Sequence, residues 1–277
     1  MIKAELPGAL AVRYERLLAY IKELGRCAVA YSGGVDSTFL LQAATHALGK
    51  DALGITISTV LQPRWEQELA TENARKMGTR QEVVTVDILA EEAVASNPMD
   101  RCYHCKKCLF SAVLERAAEL GYDTLLDGTN VDDQGDYRPG QEAAKELGVK
   151  SPLLACGYTK KEIREASKAL GLMTHDLPSY ACLASRIPYG TPLCEEALSM
   201  VERAEDVLRD LGFRQNRVRL HGDLDRIEVE EQDILRVVEQ REEIYRALVG
   251  IGFSYVTLDV QGFSTGSMNI AIGKKEA

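Results

Sequence analysis

The stretch Ser32-Gly33-Gly34-Val35-Asp36-Ser37-Thr38 constrains this 277-residue chain more than any other. It follows the apolar run Cys27-Ala28-Val29-Ala30-Tyr31 and leads into Phe39-Leu40-Leu41 and an apolar helical pattern that reaches Leu48. A short buried strand, a glycine turn and a helix start, in that order, make a site for a pyrophosphate. Two glycines let the backbone approach a ligand closely, and the N–H groups and positive dipole end of the following helix attract anionic oxygens. Ser32, Ser37 and Thr38 add hydroxyl donors. No Lys follows the glycines, as it does in a Walker A loop, and the spacing is not the G-x-G-x-x-G of dinucleotide folds. Taken alone, a Gly turn capped by Ser is also a common structural device.

Around this turn apolar runs alternate with helical periodicity. Residues 27–31, 52–57, 82–86 and 123–127 read as buried strands, and 37–48, 65–77, 103–120 and 159–170 as helices. The alternation predicts an α/β fold with a doubly wound parallel sheet. Its ligand belongs outside the carboxyl ends of the strands, where Ser32, Thr56 to Thr59 and Asp127 to Asn130 emerge. From about residue 192 the pattern changes. A helix over about 194–211 ends at Gly212, and strand-like Arg217–Leu220 and Arg226–Val229, helical 231–249 and strand-like Tyr255–Val260 follow. Two domains are expected, 1–191 and a smaller α+β domain over 192–277.

The formal charge of −9 argues against a broad electrostatic footprint for nucleic acid and favours a small-molecule substrate. Arg13, Glu15, Arg16, Lys22 and Glu23 interrupt the apolar residues of Met1 to Gly25, so that segment reads as neither signal peptide nor membrane span. A cytoplasmic protein is expected. Its seven cysteines are then free, metal-bound or catalytic rather than disulfide-linked. Cys27, Cys156 and Cys194 read as small core residues.

The other thiols have special surroundings. In Arg101-Cys102-Tyr103-His104-Cys105-Lys106-Lys107-Cys108, helical spacing makes neighbours of Cys102 with Cys105, or of Cys105 with Cys108. Cys102 and Cys108 stand about 120° apart, and spacing alone does not choose the pair. A structural zinc would need a second ligand pair that the chain does not supply. Cys182 lies in Pro178-Ser179-Tyr180-Ala181-Cys182-Leu183-Ala184-Ser185-Arg186-Ile187-Pro188-Tyr189-Gly190, whose prolines and glycine predict a loop. Arg186 there is placed to lower the thiol's pKa and to contact an anion. Three thiolates on a cubane leave one iron open, and Cys102, Cys105 and Cys182 suit such a site.

SGGVDS resembles the PP-loop of ATP pyrophosphatases, which cleave ATP to AMP and pyrophosphate. Together with RCYHCKK, LLDGTNVDDQGDYRPG (125–140), PSYACLASRIPYG (178–190), RVRLH (217–221) and YVTLDVQGFSTGSMN (255–269), it is similar to the LarE family over about residues 10–270. These are ATP-dependent sulfur transferases that make the nickel-pincer nucleotide of lactate racemase and related enzymes. The resemblance implies ATP and Mg²⁺ at Ser32, Gly33, Gly34, Asp36, Ser37, Thr38, Asp127 and Gly128, with Asp36 beside the metal. It implies a nucleotide substrate, pyridinium-3,5-biscarboxylic acid mononucleotide, near Ser185, Arg186, Arg217 and Arg219.

Sulfur source divides the family. In one type the cysteine matching Cys182 gives up its own sulfur and ends as dehydroalanine. In the other, three cysteines hold a [4Fe-4S] cluster, and Cys102 and Cys105 point to that type, resupplied by sulfide or a sulfur donor protein. Arg217 and Arg219 alternate along a strand and so share a face, as a phosphate clamp requires, although strand arginines also serve as surface ion-pair partners. Asp127, Asp132, Asp133 and Asp136 form an acidic loop beside Arg138, suited to Mg²⁺ or to capping a helix from Gly140. Assembly into homohexamers is implied by the resemblance alone. A PP-loop tRNA thiolase and a non-catalytic nucleotide- or zinc-binding regulator are the rival readings.

Overall fold

The computed structural model describes residues 6, 8–135, 139–178 and 181–264. The chain forms two compact units, Met1–Ile88 with Asp100–Tyr180, and Leu89–Met99 with Ala181–Ala277. The second unit is therefore discontinuous, taking an eleven-residue segment from within the span of the first.

The first unit runs α1 (Gly8–Leu24), β1 (Cys27–Ala30), α2 (Val35–Leu48), β2 (Ala52–Ser58), α3 (Arg64–Met77) and β3 (Gln81–Thr85). After α4 (Glu92–Ala95), which belongs to the second unit, come α5 (Arg101–Glu119), β4 (Thr124–Leu126), α6 (Pro139–Glu146), α7 (Pro152–Ala155) and α8 (Lys160–Ala169). The four strands are parallel in the order β3-β2-β1-β4. Alternate residues of β1 serve opposite faces, as the two-residue period of a strand requires. Cys27 and Val29 join Leu17, Ile21, Phe39, Ile163 and Ala166 of α1, α2 and α8 in one core. Ala28 joins Leu53, Ile55 and Leu125 with Val113 and Ala117 of α5 in the other. Helices cover both faces, so the sheet is doubly wound, and the reversal of strand order lies between β1 and β4. That crevice is where such sheets bind ligands.

In the second unit α9 (Glu195–Asp210), β5 (Asn216–His221), β6 (Leu224–Val229), α10 (Ile234–Glu239), α11 (Arg241–Ile251) and β7 (Tyr255–Leu258) build a small three-stranded sheet with helices. β5 and β6 are antiparallel and β7 lies parallel to β6. The expected helix over 231–249 is instead a short turn followed by two helices, with the break at Gln240. Asp225 of β6 is fully buried. Its Oδ1 accepts the Thr257 N–H at 2.9 Å, Oδ2 has no partner, and burial pushes the carboxyl up to about 6.

Among the described residues no helix is long and apolar enough to cross a membrane. Cys27 and Cys156 are buried, and burial raises both thiols, Cys27 to about 12. Cys194 corrects the expectation of a third core thiol, since it is exposed at the N-cap of α9.

Candidate active site

The glycine turn sits between β1 and α2. Gly33 has φ +79°, and a Cβ there would lie 2.5 Å from that of Ala70 on α3, so only glycine fits. Gly34 caps α2 and has no side chain to offer the N–H groups of the first helical turn, which leaves those donors for a ligand. Short hydroxyl contacts hold the turn. Ser37 Oγ donates to the Gly34 carbonyl at 3.2 Å and lies 3.1 Å from Ser32 Oγ, while the Thr38 N–H donates to Gly34 at 3.0 Å. Ser37 and Thr38 are themselves buried, so they shape the turn from behind.

Across the crevice, Asp127 follows directly on β4. It is buried, accepting from the Thr129 N–H and hydroxyl and from Ser151 Oγ at 3.2, 2.7 and 2.7 Å. Gly128 comes so near α2 that a Cβ would lie 3.1 Å from the Asp36 Cβ and the Ser37 nitrogen. Asp36, in the first turn of α2, forms an ion pair with Lys160 Nζ through Oδ2, whereas Oδ1 is buried and without a hydrogen-bond partner. Burial raises its carboxyl above the ordinary range, against the opposing pull of Lys160.

Two cations here were not among the residues singled out from sequence. Lys160 is held in place by a capping box, in which Thr159 and Glu162 exchange side-chain and backbone bonds at the start of α8. Its backbone N–H donates to Asp132 Oδ2 at 2.8 Å, so Asp132 serves the start of α8. Asp133 accepts the Asn130 N–H at 3.0 Å. Lys106 of α5 reaches within 3.9 Å of Asp127. The signals were the T-K-K-E start of a helix and the Lys beside Cys105. Asp136 and Arg138 lie outside the described residues.

Cys102 and Cys105 are one turn apart on α5, the first exposed and the second half-buried; Cys108, further along the same helix, is also half-buried. Among the described residues of either unit, no three His, Cys, Asp or Glu side chains gather as a metal site.

In the second unit Cys182 is exposed and precedes a single helical turn, Leu183–Arg186. Its carbonyl accepts from the Ser185 N–H at 3.0 Å, Ser185 Oγ at 2.8 Å and Arg186 Nη1 at 3.0 Å. Leu183 and Ala184 beneath it are buried. Arg186 is 1% exposed and forms a two-pronged pair with Glu205, Nε to Oε1 at 2.8 Å and Nη2 to Oε2 at 2.9 Å. This differs from the reading of Arg186 as an anion contact, because its fork faces inward and holds the loop. Glu205 also accepts the Val218 N–H of β5 at 3.0 Å.

Arg217 and Arg219 share one face of β5, and both are buried rather than surface ion-pair partners. Arg219 donates to Glu228 at 2.7 Å and to the Ser185 carbonyl at 3.0 Å, which ties the sheet to the loop. Arg217 donates to its neighbour's carbonyl at 2.6 Å and lies over Phe263. Glu228, wholly buried, also pairs with Arg226 at 3.2 Å.

No family model matches the chain. It is 41% identical to the uncharacterized protein slr1717 of Synechocystis over 96% of this chain and all of that one. To the pyridinium-3,5-bisthiocarboxylic acid mononucleotide synthase of Lactiplantibacillus plantarum it is 36% identical over 97% of this chain and 98% of that enzyme. The tRNA-specific 2-thiouridylase MnmA of Frankia alni is 28% identical over 55% of this chain and 53% of its own. The distant likeness stops short of the whole chain, whereas the likeness to the synthase spans both units, the glycine turn and the cysteine loop alike. On that span and identity, the chain belongs to the LarE family of ATP-dependent sulfurtransferases.

Proposed function

We propose that this protein uses ATP to activate the carboxylates of pyridinium-3,5-biscarboxylic acid mononucleotide and converts them to thiocarboxylates, a step in making the nickel-pincer nucleotide. The observation that carries the reading is Cys182, an exposed thiol on a loop clamped by buried ion pairs, in a chain aligned end to end with a named bisthiocarboxylate synthase. In the first half-reaction the first-turn N–H groups of α2 hold the leaving phosphates, and Lys160 and Lys106 offset their charge. The unpartnered Asp36 Oδ1 suits the Mg²⁺ that accompanies ATP. A substrate carboxylate oxygen attacks the α-phosphorus, the bond to the bridging oxygen breaks, and pyrophosphate leaves with the electron pair.

In the second half-reaction a sulfur nucleophile adds to the acyl carbon and the C–O bond to AMP breaks. AMP departs with that pair and a thiocarboxylate remains. Arg217 and Arg219 suit the substrate phosphate and Ser185 borders the thiol. Cys102 and Cys105, one turn apart on α5, would supply two thiolate ligands of an iron–sulfur cluster and Cys182 the third. Bound there, a [4Fe-4S] cluster would supply an open iron for exogenous sulfide, so that the sulfur could be replaced between turnovers.

The test is iron and acid-labile sulfide content with a visible spectrum on protein purified without oxygen, followed by substrate-dependent pyrophosphate release. Cys102→Ala, Cys105→Ala and Cys182→Ala are each expected to remove the iron and Cys108→Ala to spare it. Persistent absence of iron with dehydroalanine at residue 182 after one turnover would overturn the cluster and leave Cys182 as a sacrificial donor. Absence of pyrophosphate release with every component present would overturn the activity.

A further inference from the structure

Asn97 is the only residue other than glycine with a positive φ among the described residues, at 55°. It is 0% exposed and precedes Pro98, whose ring narrows the backbone choices of the residue before it. A conformation that costs free energy persists where the surroundings impose it, and such positions concentrate at functional sites. The bonds made by Asn97 identify what imposes it. Its side-chain nitrogen donates to the carbonyls of Pro188 at 2.8 Å and Thr191 at 2.9 Å, with Ile187 at 3.5 Å. Its own carbonyl accepts the Gly190 N–H at 2.8 Å, and two residues earlier the Ala95 carbonyl accepts the Leu193 N–H at 2.7 Å.

All of these groups belong to the second unit. They fasten the downstream end of the loop that begins at Cys182, while Arg186 with Glu205 fastens its upstream end through the carbonyls of Ala181 and Cys182. An amide is the side chain suited to this place. Both of its N–H bonds are needed for carbonyl oxygens, and an ionised carboxylate would turn acceptors toward acceptors. The shape of the loop therefore depends on a residue 85 positions away in sequence, within a segment that neither the glycine turn nor the cysteine motifs include.

We propose that Asn97 is a positioning residue for Cys182: its left-handed backbone and buried amide set the course of residues 187–191 and thereby hold the thiol in the place from which it serves the proposed sulfur transfer. The inference rests on the proposed sulfur transfer for its purpose, but its structural half is measurable without it.

The experiment uses the full chain with Asn97→Gly, which keeps the backbone freedom and deletes the amide, and Asn97→Asp, which keeps the shape and deletes the donors. Two readouts are taken: the rate at which iodoacetamide alkylates Cys182 in iron-free protein, followed by peptide mass spectrometry, and single-turnover thiocarboxylate formation. Both variants are expected to change the alkylation rate by about 10-fold or more. Thiocarboxylate formation should fall on the order of 100-fold with the ATP affinity unchanged, because displacement of a reacting group by about 1 Å has that effect. Wild-type rates in both variants would overturn the inference. So would failure of both variants to fold, since Asn97 would then support the unit as a whole. A wild-type chain that forms no thiocarboxylate refutes the proposed function, and the alkylation comparison then decides this inference alone.

Discussion

The glycine turn of the first unit is held by contacts three to five residues apart, such as Ser37 to Gly34 and Ser37 to Ser32. The Cys182 loop of the second unit is held across 19, 34 and 91 residues, by Arg186 to Glu205, Arg219 to Ser185 and Asn97 to Pro188. Backbone dominates the first, since a phosphate site needs N–H groups and little else. Buried charge dominates the second, where an exposed thiol stands on an irregular segment. The difference teaches that a site made from local backbone geometry tolerates exchange of distant side chains, whereas a site clamped by buried pairs inherits every weakness of those pairs.

That contrast is sharpest at Glu205. Replacing it with Ala leaves the Arg186 guanidinium buried without its carboxylate and removes the acceptor of the Val218 N–H. The expected loss is about 3–5 kcal/mol in urea unfolding; a loss below about 1 kcal/mol would break the comparison by showing that the loop does not lean on the pair. Next in size, Asp36→Asn should weaken ATP binding about 100-fold with Mg²⁺ present, about 2.7 kcal/mol, and leave it unchanged without Mg²⁺. Equal weakening in both conditions would show that Asp36 acts on the turn and not on the metal.

Gly33→Ala should cost about 2 kcal/mol or more, because positive φ adds to a collision with Ala70. Gly157→Ala, with φ +72° and open space, should cost about 1 kcal/mol, so thermal melting of the pair separates crowding from backbone strain. The effect confined to one side of a pH range is at Asp225. Its carboxyl titrates near 6 in the folded protein and near 3.9 unfolded, so its contribution to stability is greatest below about pH 4 and is lost as pH rises through 6. Asp225→Asn should therefore gain about 3 kcal/mol over wild type at pH 8 and nothing near pH 4. A constant difference across that range would remove the carboxyl's titration from the account.

The strands of the first unit were legible to within a residue or two, because parallel strands covered on both faces read as short apolar runs. The glycine turn was legible for the same local reason. Lys160 and Lys106 were not, since a lysine at a helix start carries no sign of which carboxylate it will meet. Arg186 was visible as a charge beside a cysteine, but its partner 19 residues on was not, and burial turned an expected anion contact into a strut. Cys194 shows the converse error. Residue type favoured the core, yet a helix N-cap faces water. Gln240 broke one helical pattern into two without glycine or proline to announce it.

The interruption of the second unit by residues 100–180 also has a consequence in time. A chain emerging from the ribosome completes every strand of the parallel sheet by Leu126, while Leu89–Met99 must wait for partners made some ninety residues later. Closing that long separation carries an entropic cost that grows with the logarithm of its length. The glycine turn and the strands around it are thus made early in synthesis, and the thiol loop takes its final course only after most of the chain has been made. The order in which these parts are made follows the order of the proposed chemistry, activation before sulfur.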